Sequence, residues 1–153
     1  ALIDEAHAST KAAITELRQL ARGIHPAVLA DRGLDAALSA VAARSHIPVQ
    51  LDVTLPGRCA EAAEAAMYFA VSEALTNAAK HSGATGCRVT LLQRPGGTIW
   101  ARIEDDGAGG AHRVPGGGID GVANRVAAAG GSMYVISPVG GPTTIEVSIP
   151  CAS

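Results

Sequence analysis

Seven of the fifteen residues from Gly107 to Gly121 are glycine, and no other stretch of the chain constrains its fold as strongly. So bare a backbone is a poor helix or strand interior, so regular structure has to stop before it and resume after it. On its N-terminal side Thr98 to Glu104 reads as an apolar strand that delivers Asp105 to the mouth of the segment. On its C-terminal side Ile119, Val122, Ala123 and Val126 recur at helical spacing, and Gly130-Gly131 is a plausible C-cap. The segment therefore sits between a strand and a helix, either as a surface turn or as backbone lying close to a ligand.

The flanking chain predicts the remaining elements. The first 24 residues carry a heptad seam, with Ile3, Thr10, Leu17 and Ile24 at one position and Ala6, Ala13 and Leu20 at the other. At 1.5 Å per residue this is a helix about 35 Å long. A lone amphipathic helix is marginal in water, so a bundle with an upstream helix or a second copy of the chain is expected. The start without Met, inside a helical pattern, suggests an excised fragment. Gly23 and Pro26 end that helix, and residues 25–33 read as a connector. A helix is expected from about Leu34 to Ser45, a strand over Pro48 to Leu55, and a long alanine-rich helix from about Cys59 to Ser82. Cys87 to Arg94 and Thr98 to Glu104 form a hairpin across Pro95-Gly96-Gly97, and two last strands cover about Ser132 to Ser137 and Thr143 to Ile149. Helices mixed with hairpins predict an antiparallel-rich sheet with helices on one face, an α/β two-layer sandwich.

Composition removes several function classes. The formal charge is −2, so no global field draws the chain toward nucleic acid or an anionic membrane. No run approaches the roughly 20 apolar residues of a membrane span. Cys59, Cys87 and Cys151 are odd in number and have no CxxC spacing, which predicts reduced intracellular thiols rather than a disulfide framework or a zinc site.

The long central helix carries the chemistry. At 100° per residue Met67, Val71, Leu75 and Ala78 form one apolar stripe, while Glu73, Asn77 and Lys80 share another face with His81 beside them. Ala66 and Ala70 continue this second face and are expected to line a pocket wall. The helix beginning near Ile119 follows Gly116-Gly117-Gly118, so its free N–H groups and positive dipole end make an anion site suited to phosphates. Asp105 would be repelled by phosphate and suits a donor such as the exocyclic amine of a purine. Glu73 and Asn77 offer oxygen ligands of the kind Mg²⁺ accepts, and Lys80 could neutralise phosphate.

In this order the motifs resemble the ATP-binding catalytic domain of a two-component sensor histidine kinase, from the superfamily that includes gyrase, the ninety-kilodalton heat-shock chaperone and the mismatch-repair ATPases. Glu73 to His81 is similar to the family's N box, Asp105 to Gly109 to its first glycine box, and Gly116 to Gly121 to its second. The resemblance implies a two-layer α/β sandwich of the histidine-kinase ATPase (Bergerat) type, preceded by a dimerisation-bundle helix. It implies three regions: residues 1–24 of the dimerisation helix, connector 25–33 and ATP-binding domain 34–153. Asp105 would bind the adenine amine, Asn77 and Glu73 the Mg²⁺, and Glu73 would also act at the γ-phosphate. Lys80 and His81 would lie near phosphates or ribose, and Thr143 beside the adenine. Gly107, Gly109, Gly116, Gly118, Ile119 and Gly121 would complete the nucleotide site, the glycines hinging a short lid from about Ala111 to Pro115.

Leu20 to Pro26 and Leu29 to Leu34 are similar to the join between dimerisation and catalytic regions in kinases of the nitrate-sensing and lipid-sensing type. That implies a cytoplasmic domain working with ATP and Mg²⁺, a homodimer through the first helix, a cognate response regulator, and a phosphoacceptor histidine on a helix upstream. The resemblance sets that histidine directly before an acidic residue, and none of His7, His25, His46, His81 and His112 is so placed; His7 reads as a bundle-flank residue. Pro142 stands where the family commonly has Gly, Gly117 replaces a common Ser, and the lid offers His112 and Arg113 as its basic candidates. Two other readings remain open: a serine kinase of the anti-sigma type within the same superfamily, and an interaction module that dimerises through residues 1–24 and binds no nucleotide.

Overall fold

The computed structural model describes residues 27–80, 83–111 and 116–152. The bundle helix over residues 1–24, His25, His81 and lid residues 112–115 lie outside the described residues. In chain order the elements are α1 (Ala27–Arg32), α2 (Leu34–Ala43), β1 (Val49–Thr54), α3 (Glu61–Lys80), β2 (Cys87–Gln93), β3 (Thr98–Asp105), α4 (Gly118–Ala128), β4 (Ser132–Ile136) and β5 (Thr143–Pro150).

The strands form one sheet in the order β1-β2-β3-β5-β4. β1 pairs parallel with β2, and every other pairing is antiparallel. Parallel neighbours need a long crossover, and α3 supplies it. Period-two alternation turns Val89 and Leu91, Ile99, Ala101 and Ile103, and Ile145, Val147 and Ile149 to the helical side, where all are buried. Met67, Val71, Leu75 and Ala78 of α3 pack on them and are buried as their stripe requires. Ala66 and Ala70 are buried in the same core rather than lining a pocket, so only the C-terminal half of the second face of α3 stays open. Small side chains there let neighbouring helices approach α3, and Arg125 of α4 sits 4.2 Å over the ring of Phe69.

The opposite face of the sheet is polar. Arg102 pairs with Glu146 at 2.8 Å. Trp100 lies between the guanidinium groups of Arg94 and Arg102, at 4.5 and 5.3 Å from its ring centroid. These stems leave the indole 8% exposed on a face that otherwise meets water.

Within the stretch read as a connector there is regular structure, and the expectation of reduced thiols needs correction. The connector contains the helix α1, with Leu29 buried and Gly33 closing it at φ 88°, its N–H donating to Leu29 O at 3.0 Å. Proline is tolerated at a helix start because the N–H it lacks would be unpaired there anyway, so a proline directly before Ala27 is compatible with α1. Cys59 and Cys151 form a disulfide, Cα atoms 4.7 Å apart, across 92 residues of sequence. Spacing could not reveal this pairing, because the sheet and α3 bring the two positions together. Beside the bond Ala60 N–H donates to Cys151 O at 2.7 Å and Cys151 N–H to Gly97 O at 2.9 Å. Cys87 alone is a free thiol among the described residues.

Candidate functional site

At one end of the sheet a row of inward-facing residues crosses three strands, because Asp105 pairs with Cys87 on one side and with Thr143 on the other. All three are buried. Burial, with Asp105, Asp106 and Glu104 nearby, pushes the Cys87 thiol up to about 12, so it stays neutral and inert. Asp105 Oδ1 accepts the Gly107 N–H at 2.8 Å, which fixes the carboxylate where the strand ends. The Thr143 hydroxyl is 2.7 Å from Ser137 Oγ, and Ser137 Oγ also accepts the Ala111 N–H at 2.9 Å. Ser137 thus ties together the glycine segment, the β4–β5 turn and Thr143. Nothing in its sequence setting, a lone serine after a strand, distinguished it.

Asp106 faces the other way, as alternation along a strand requires. Its carboxylate accepts N–H groups of Thr85 and Gly86 and the Thr85 hydroxyl. The Thr85 hydroxyl and amide hold this carboxyl below the usual range. Of two adjacent aspartates, one is turned toward the helices and the other anchors the loop after α3. A shallow cleft of about 590 Å³ opens at this end of the sheet, lined by Arg88, Glu104 and Asp106 together with Cys87, Asp105 and Pro142.

The glycine segment is fastened rather than hinged at its start. Gly110 N–H donates to Ser137 O at 3.0 Å, and Gly140 N–H to Ala108 O at 2.7 Å. At Gly109, φ 70°, a β-carbon would overlap Pro138 O, and at Gly141, φ 77°, one would overlap Gly107 O. Glycine at these two positions is what lets the backbones of the loop and the β4–β5 turn touch.

α4 begins against the open half of α3. A β-carbon on Gly118 would lie 3.8 Å from Glu73 Oε2 and 4.0 Å from the side-chain amide atoms of Asn77. The first turn of α4, with its outward N–H groups, thus shares one space with the carboxylate and amide expected to act together. Asp120 Oδ2 accepts the Gly116 N–H at 3.1 Å, holding the approach to the helix, and Gly121 N–H returns to Gly117 O at 3.0 Å. Ile119 follows in the first turn of α4, and Lys80, exposed, ends α3. The structure thus groups Glu73, Asn77 and Gly118 on one side, and Asp105, Gly107, Gly109 and Thr143 on the other.

Among the described residues no group of three or more His, Cys, Asp or Glu is arranged to hold a metal. Mg²⁺ needs no such group: it takes one or two protein oxygens and completes its shell with water and phosphate, a donor set that Glu73 and Asn77 fit.

The sequence profile described as histidine kinase-, DNA gyrase B-, and HSP90-like ATPase matches residues 62–153. The chain is 33% identical over 112 residues to the sensor histidine kinase MctS of Rhizobium johnstonii, covering 70% of the chain and 24% of that protein. It is 32% identical over 160 residues to the sensor histidine kinase NarS of Mycobacterium tuberculosis, covering 96% of the chain and 37% of that protein. The chain therefore spans about a quarter to a third of these relatives. Among solved structures, the histidine kinase domain of the Erythrobacter litoralis EL346 blue-light activated histidine kinase superposes with TM-score 0.60 at 22% identity, over 78% of this chain and 59% of that one. Full-length ShkA in complex with AMPPNP superposes with TM-score 0.59 at 22% identity, over 80% of this chain and 29% of that one. At such identities the two superpositions speak for the shared fold.

Proposed function

Starting from the fact that the chain belongs to the histidine kinase-, DNA gyrase B- and HSP90-like ATPase family, we propose that it is the Mg·ATP-binding catalytic domain of a sensor histidine kinase. Its parent enzyme would transfer the γ-phosphoryl group of ATP to a histidine on a dimerisation helix outside this chain. The observation that carries the reading is the approach of the α4 N-terminus, at Gly118, to Glu73 and Asn77. It brings an anion-binding helix end to the two side chains best suited to a phosphate-bound cation.

Each residue then has a task. Asp105, fixed by the Gly107 N–H, accepts a hydrogen bond from the adenine amine, and Thr143 lies beside the ring. Gly107 and Gly109 let backbone approach the base and sugar, while Gly116, Gly118, Ile119 and Gly121 present the start of α4 to phosphate oxygens. Asn77 and Glu73 would hold Mg²⁺, which when bound offsets the charge that develops between the β- and γ-phosphates. Glu73 orients the acceptor side of the γ-phosphate, and Lys80 and His81 add charge nearby. Catalysis of this kind is positioning plus charge stabilisation, so the chain without its acceptor helix binds nucleotide and is not labelled by ATP. Residues 1–24 would dimerise the full protein, residues 25–33 would link them to an ATP-binding domain over 34–153, and a response regulator would receive the phosphoryl group. ATP as substrate places the domain on the cytoplasmic side.

Calorimetric titration of the chain with ADP and Mg²⁺ tests this. We expect saturable binding that Asp105→Ala weakens roughly ten- to hundredfold, since a hydrogen bond to a charged group contributes about 1.5–3 kcal/mol. Absence of binding would favour an interaction module instead, and equal affinity in the variant would remove Asp105 from the adenine site.

A further inference from the structure

We propose that Cys59 and Cys151 form a reversible thiol–disulfide site whose state sets how firmly α1 is held on the ATP-binding domain. The inference rests on the proposed function in one respect: an ATP-consuming domain faces the cytoplasm, where disulfides are rare and those that form are usually transient and catalytic or redox-sensing.

Three features of the bond fit such a role. Both cysteines are half-exposed. A cleft of about 360 Å³, bordered by Gln93, Gly96, Gly97 and Pro150, opens directly on them, so a small thiol has access. The bond also lies far along the chain from the glycine segment, joining Cys59, two residues before α3, to the tail after β5.

What makes it more than a staple is Arg58, the neighbour of Cys59. Arg58 Nη2 donates to Leu29 O at 3.0 Å and to Ala30 O at 3.2 Å, the carbonyls of α1. The same guanidinium binds Glu64 of α3 through Nε and Nη2, at 2.9 and 2.8 Å, and Glu64 is buried. Glu64 Oε2 in turn accepts the Cys59 N–H at 3.2 Å. The Arg58-Cys59 pair that grips α1 is thus held from two directions, by the disulfide toward the end of β5 and by the buried Glu64 carboxylate of α3. Release of Cys59 leaves Arg58 on a segment tied to the end of β5 by a single backbone hydrogen bond, Ala60 N–H to Cys151 O.

The chemistry is thiol–disulfide exchange with a small dithiol as reductant. Its thiolate attacks one sulfur of the Cys59–Cys151 bond and forms a mixed disulfide, while the other sulfur leaves as a thiolate and takes a proton. The second thiol of the reagent then closes on the first, giving a cyclic disulfide and two protein thiols, so two electrons pass from reagent to protein. A small-molecule disulfide such as oxidised glutathione runs the reaction backwards, releasing two thiols.

The test uses the whole chain equilibrated with oxidised glutathione or with excess dithiothreitol, then alkylated in denaturant and weighed, with amide hydrogen exchange read at residues 27–32. We expect one alkylated cysteine after oxidation, three after reduction, and recovery of one on reoxidation, from a total of three. We expect exchange across α1 to quicken at least severalfold on reduction. A Cys59→Ser, Cys151→Ser double variant should exchange at the reduced rate under both conditions. Three alkylated cysteines after oxidation would overturn the site, and α1 exchange independent of redox state would overturn the coupling. Neither readout requires nucleotide, so failure here is separable from failure of the nucleotide titration.

Discussion

Asp105 and Asp106 show how one peptide step turns two identical side chains to opposite faces of the sheet. The first faces the helical layer and is held by Gly107. The second binds Thr85 and Gly86, and these donors lower its affinity for a proton. Because its folded pKa lies below its unfolded value, the stabilisation it supplies is fully present above about pH 4, the ordinary aspartate value, and is lost as pH falls through the folded pKa. Asp106→Asn should therefore lower the urea midpoint at pH 7, and the gap from the parent should close as the solution is acidified below about pH 4. A gap that stayed constant into acid would mean that the charge of Asp106 is not what the loop uses. The sequence made both aspartates visible as a pair but not their division of labour, since that depends on which strand face continues the core.

At the scale of elements, the long helix was readable because its apolar stripe of Met67, Val71, Leu75 and Ala78 is strictly periodic, and the candidate site residues Glu73 and Asn77 lie one turn apart on it. The hairpin at Gly96-Gly97 and the helix after Gly116 to Gly118 were legible for similarly local reasons. What was not legible depends on contacts between distant segments. Ala66 and Ala70 looked like a pocket wall until the core closed over them, and α1 hid in a stretch marked by Pro and Gly. The approach of α4 to α3 is the contact on which the proposed site depends. Gly118→Val would push two methyl groups toward Glu73 and Asn77, at an overpacking cost of about 1–3 kcal/mol. Mg·ADP affinity should fall roughly ten- to hundredfold, by calorimetry, while the circular dichroism spectrum is retained. Unchanged affinity would move the phosphates away from the start of α4.

At the scale of the molecule, the two halves of the candidate site belong to different parts of the sandwich, the α3–α4 contact and the end of the sheet. A ligand that spans them should stabilise the fold as a whole. At a hundredfold excess over its dissociation constant ADP with Mg²⁺ contributes about 2.7 kcal/mol, which for a chain of this size is a rise of roughly 5–10 °C in the melting midpoint. Chelation by EDTA should remove most of that rise if Glu73 and Asn77 act through Mg²⁺; a shift indifferent to EDTA would assign them another role. The pairing of Cys59 with Cys151 also belongs to this scale. No local pattern could announce it, because the two residues become neighbours only when the sheet is complete.

The chain contains a single tryptophan, Trp100, held between Arg94 and Arg102 on the face of the sheet turned away from the helices. Its fluorescence is therefore a built-in optical gauge of the sheet alone. Unfolding strips away both guanidinium stems and should redden the emission, whereas nucleotide entering on the helical side should leave the spectrum in place. A spectral response to ADP would mean that occupancy is felt through the full thickness of the β-layer, from the helical side to the water side.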